Sequence, residues 1–243
     1  MGTQFTSRLT KTDRRRILDE IQTARQAVVG GAGPALTKQQ TRAYAREAVR
    51  GVLAIAGGRG FLDEIERSEL FEEVLTWLKS LWNDAAFNGF SAYTKRYGLA
   101  TEPSPFPVLN AKLKEITDRH PTDPFRVPIS NAAKSVLLTG LGAPNPGETQ
   151  AQAYGRRLGA LHVRDVVLIY VRQFLYEAVT QIASRADPHS SSGVVSEFNT
   201  ISVEEFARIA KRIVKRLDDE GRINDVKRTR EITIEELGNL IRP

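Results

Sequence analysis

The chain has 243 residues, 41% of them hydrophobic, with a formal net charge of +6 and no cysteine. That length buries one sizeable core or two smaller ones, and a charged fraction of 26% argues against wholesale disorder. The missing cysteines exclude a disulfide framework, a thiolate nucleophile and a cysteine-based zinc site. With no apolar run of about 18 residues and no apolar stretch at the N-terminus, a cytoplasmic protein without a membrane partner is expected.

The charge is uneven. Residues 1–59 hold eleven Lys and Arg against four Asp and Glu, whereas residues 60–98 hold four against seven. The basic end is mostly arginine, whose planar fork matches phosphate and carboxylate oxygens. Such a surface suits a nucleic-acid backbone, an acidic protein or an anionic membrane. Solvated arginine faces are the plainer account.

In chain order, Met1 to about Lys11 reads as an extended arm, with Phe5 and Leu9 as its apolar anchors, that packs on a neighbouring chain or stays mobile. A first helix is predicted from Thr12, with Ile17, Leu18, Ile21, Ala24 and Val28 as its stripe. Arg14, Arg15 and Arg16 occupy its first turn, the unfavourable end for cations. Gly30, Gly31, Gly33 and Pro34 end it. Thr37 and Gln40 fit a capping box opening the second helix. There Ala45, Ala48, Val49, Val52 and Ile55 are apolar, and Arg42, Arg46 and Arg50 recur every four residues as one charged stripe. An acidic third helix is predicted from Leu62 to Trp82, and a further one from Ala85 to Tyr97 closed by Gly98. The latter carries Phe87, Phe90, Tyr93 and Tyr97 along one face beside Lys95 and Arg96. That pattern suits base stacking with phosphate contact or, more plainly, a core.

Six of the eleven prolines fall between positions 101 and 128. The stretch is read as a connection between an N-terminal lobe, 1–100, and a C-terminal lobe, 129–243. Short helices are expected at Val108–Arg119 and Ser130–Gly140. Thr149 to Ala186 reads as one long helix, open to a break near Gly155 or Gly159, and apolar all round from Leu158 to Ile182. Val166 to Val171 has strand-like composition, but no turn residue interrupts the run, so helix is preferred. On this long helix Arg157, Arg164 and Arg172 fall within about 80° of each other. Buried there, they need partners: carboxylates of the acidic helix, or phosphates of a ligand. Asp187 to Ser192 reads as a loop. Ser202-Val-Glu-Glu and Thr233-Ile-Glu-Glu each read as a capping box opening one of the last two helices.

Most catalytic signatures are missing: a phosphate-binding Walker loop, a dinucleotide glycine pattern, a zinc-protease helix and a serine elbow. Ile232 to Leu237 is similar to the exit of a calcium-binding EF-hand, but ligand positions one, three and five hold Asp225, Lys227 and Thr229 and the glycine position holds Arg230, so no calcium is expected. These readings together predict an all-α protein of two helical lobes with no catalytic residue, metal or cofactor. The leading expectation is a nucleic-acid-binding protein of coat, nucleocapsid or nucleoprotein-subunit type, RNA-binding and oligomeric. It would hold the phosphate backbone through Arg14, Arg15, Arg16, Arg42, Arg46, Arg50, Lys95, Arg96, Arg157, Arg164 and Arg172. The alternatives are an assembly or adaptor protein that binds only other subunits or itself, and an enzyme whose site no motif reveals.

Overall fold

Reciprocal bonds start the first helix: Thr10 Oγ1 accepts from the Asp13 amide at 3.1 Å, and Asp13 accepts from the Thr10 amide at 2.9 Å. In the computed structural model α1 therefore begins at Lys11 and runs to Val29. The residues described are 9–29, 36–57, 60–99, 104–187 and 193–242. The arm through position 8, the glycine–proline turn at 30–35 and the loop at 188–192 lie outside them. Leu9, one of the arm's two anchors, is buried in this chain's own core.

Among the described residues the fold is all-α: eleven α-helices and one wider π turn, with no strand. Thr37 and Gln40 form the predicted capping box, and α2 spans Lys38–Gly57. Gln40 Nε2 donates to the Val28 carbonyl at 3.3 Å, and Gly51 lies against Glu20, so α1 and α2 pair antiparallel. The close approach needs glycine: a Cβ on Gly51 would stand 2.9 Å from Glu20 Cβ.

The acidic third helix is two helices. Ser68 is extended and its hydroxyl caps the Phe71 amide at 3.2 Å, dividing α3 (Phe61–Arg67) from α4 (Glu69–Asn83). The π turn Asp84–Asn88 leads into α5, Gly89–Tyr97, which ends on left-handed Gly98 as expected. α6 is Pro105–Asp118, with proline in its first turn, where the missing N–H costs nothing. α7 is Arg126–Leu138 and starts four residues before Ser130.

The helical stretch expected at 149–186 is broken just after Gly159, one of the two glycines where a break stood open, and so is two helices. Thr149 and Gln152 form a capping box on α8, Gln150–Gly159. The chain then turns, and the His162 amide donates to Asp165 at 3.0 Å to open α9, Val163–Ala186. Val166 to Val171 is helical.

Both remaining capping-box readings are overturned. α10 is Val194–Asp219, with Ser202 buried in its interior and bonded to the Asn199 carbonyl. α11 is Val226–Ile241; Asp225 caps it through the Arg228 amide, while Thr233 lies inside and bonds back to the Thr229 carbonyl at 2.7 Å. An S/T-x-x-E pattern also fits a helix interior whose hydroxyl turns onto the preceding turn.

α9 is the axis of the core and packs on α7, α10, α1, α4 and α2. Phe71, Phe125 and Phe174 meet at 5.0 and 5.6 Å between ring centroids. The buried phenol of Tyr170 donates to the Phe71 carbonyl. Helices on both sides of the proline-rich connection share this core, α2 with α10 and α1 with α9 among them.

Candidate nucleic-acid interface

The 3.6-residue repeat that buries Ile17, Ile21, Ala48 and Val52 turns the arginines of α1 and α2 outward. Arg15, Arg16, Arg42, Arg46 and Arg50 are exposed. Arg14 is not equivalent. It is half-buried, its Nε is buried without a hydrogen-bond partner, and it faces the end of α9, where Arg185 has a lowered pKa through burial first and Arg14 second.

α10 crosses this helix pair and brings carboxylates with it. Arg25 meets Glu197 at 3.1 Å, Arg42 meets Glu204 at 3.8 Å, and Arg50 meets Glu47 of its own helix at 3.3 Å. These pairs are open to solvent, where such contacts are worth about 0–1 kcal/mol. Lys11, Arg15, Arg16, Lys38 and Arg46 have no carboxylate partner among the described residues. Arg46 lines a shallow pocket with Arg208 and Arg212 of α10, beside Glu205 and Glu236. Beneath the pair Tyr44 is fully buried, its hydroxyl without a hydrogen-bond partner and its pKa pushed up to about 12, chiefly by burial.

The other predicted site residues lie elsewhere. Arg157 belongs to α8 and donates to the Ala143 carbonyl, whereas Arg164 and Arg172 are exposed on α9. The turn at 160–162 breaks the single buried stripe on which the three were expected, and none reaches the acidic helix. Arg164 is 21 residues from Arg185, about 32 Å along α9, so it stands far from the α1 end. Lys95 and Arg96 are exposed on α5, where Arg96 donates to buried Asp84 at 3.0 Å. The expected aromatic face is divided. Tyr93 is buried against Tyr97, Phe87 is 71% exposed on the π turn and set edge-on to Trp82, and the Phe90 side chain lies outside the described residues.

A groove of about 1030 Å³ between α4 and α6 has no counterpart in the sequence reading. Trp77, Tyr97, Val108, Leu109 and Ile116 form its apolar floor, and Glu69, Glu72, Glu73 and Glu115 rise from it. Most of that charge is matched locally. Glu73 holds Arg119 and lies 2.6 Å from His120 Nε2, and Glu115 holds Lys112 at 2.8 Å. Arg230 Nη2 stands 3.1 Å from Glu72 Oε1, an ion pair whose angles make no hydrogen bond. The stripe 69, 72, 73, 76, 77, 80 was legible as one face of α4; that α6 lies opposite was not.

No group of three or more His, Asp or Glu among the described residues is placed to hold a metal, and no described helix is long and apolar enough to cross a membrane. No family model, curated protein or solved structure matches the chain.

Proposed function

We propose that the protein binds nucleic acid without performing chemistry on it, by laying the α1–α2 face along the phosphate backbone. The observation that carries this reading is the exposed arginine set on an antiparallel helix pair whose described residues, 9–57, hold nine Lys and Arg against four Asp and Glu. Successive stripe arginines on α2 rise about 6 Å per four residues, so each meets its own phosphate. The glutamates of α10 and α2 are weak competitors, because an exposed pair exchanges one anion for another at little cost.

The variant to titrate is Arg42→Ala, Arg46→Ala, Arg50→Ala. Removing three phosphate contacts flattens the log-affinity against log-salt slope by about 2–3. All sequences weaken alike, because phosphate contacts carry no direct base readout. An unchanged slope and affinity in the variant would make the stripe a solvated face. If the wild type binds no nucleic acid at low salt, the assembly or adaptor reading replaces this one, with the α4–α6 groove as its docking surface.

A further inference from the structure

We infer that the nucleic acid taken by the α1–α2 face is a duplex rather than a single strand; this rests on the proposed function. Single-strand binders combine a basic surface with exposed rings on which bases stack, each stacked base being worth about 1–3 kcal/mol. Among the described residues the α1–α2 face has the cations and lacks the rings. Tyr44 is the one aromatic residue in either helix, and it is fully buried. On neighbouring α10, Phe198 and Phe206 are buried as well. Phe87 is the one exposed aromatic ring among the described residues, and the π turn carrying it packs among α4, α5 and α8.

What remains on the face is charge, and charge favours the duplex. A double helix carries one phosphate per roughly 1.7 Å of axis, so each neutralised phosphate releases more counterion than on a single strand. Arg42, Arg46 and Arg50, spaced about 6 Å apart along α2, each take one phosphate of this denser array.

The test is fluorescence anisotropy of one labelled 20-base-pair duplex and, separately, of each of its strands, titrated at several salt concentrations from about 50 to 200 mM, with wild type and with the Arg42→Ala, Arg46→Ala, Arg50→Ala variant. The duplex is expected to bind at least about tenfold more tightly than either strand, and the variant to lose about 2.7 from the duplex salt slope, at roughly 0.9 per phosphate. Equal or tighter binding of a single strand overturns the duplex inference and leaves backbone binding standing. No binding of either form overturns both.

Discussion

At the scale of single residues, the chemistry least visible in the sequence belongs to Lys79. It sits one helical turn after Leu75 and one residue after Leu78, on the buried face of α4, and donates to the Ile223 carbonyl at 2.8 Å. Burial lowers its pKa to about 8, with Asp225 opposing the shift. The unfolded chain holds this proton to about pH 10.4, so between pH 8 and that point the unfolded state binds more protons and stability rises with pH. Up to pH 9.5 the gain from this one lysine is about 2 kcal/mol. Lys79→Met should remove that rise, as measured by urea unfolding at pH 7.5, 8.5 and 9.5. Parallel pH dependence in both proteins would mean that Lys79 keeps its ordinary affinity for a proton. Measurements stop at pH 9.5 because the buried tyrosines, Tyr44 and Tyr154 among them, hold their protons above the usual phenol range and withdraw stability as the medium turns more alkaline.

At the scale of elements, hydrophobic periodicity made most of the helices legible, and capping chemistry decided where they stop. Thr37 with Gln40 and Gly98 were read correctly because each sits where apolar periodicity also begins or ends. Ser202 and Thr233 were misread because the same local pattern occurs within a continuing helix, and only the tertiary packing of Val195, Phe198 and Ile232 shows that periodicity starts earlier. Ser68 was missed because a single extended residue leaves the apolar phase of α3 and α4 nearly intact. Its hydroxyl both caps Phe71 and donates to Asp123 at 2.7 Å. Ser68→Ala should therefore cost about 1–2 kcal/mol by loss of the cap and of its bond to Asp123. Ser202→Ala should cost less, since its hydroxyl only adds to a carbonyl of its own helix. Thermal unfolding of the two variants side by side decides; a larger loss at Ser202 would restore it as a helix start.

At the scale of the whole molecule, charge is segregated by helix pair, with the arginine excess on α1–α2 and the acidic excess on α3–α4. The sequence disclosed that segregation and the stripe on α2. It did not disclose that α10 sets glutamates beside the stripe or that Arg14 turns toward α9. Those facts depend on contacts between residues more than a hundred positions apart, and no local pattern encodes them, whereas the turn that parts Arg157 from Arg164 and Arg172 follows Gly159, one of the two glycines that marked a break. The most direct test of the proposed interface is an arginine footprint: mass-spectrometric mapping of phenylglyoxal modification with and without a saturating DNA duplex. Arg15, Arg16, Arg42, Arg46 and Arg50 are expected to be protected, with Arg164 and Arg172 modified equally in both states. Unchanged reactivity on α1 and α2, or protection confined to Arg164 and Arg172, would contradict it.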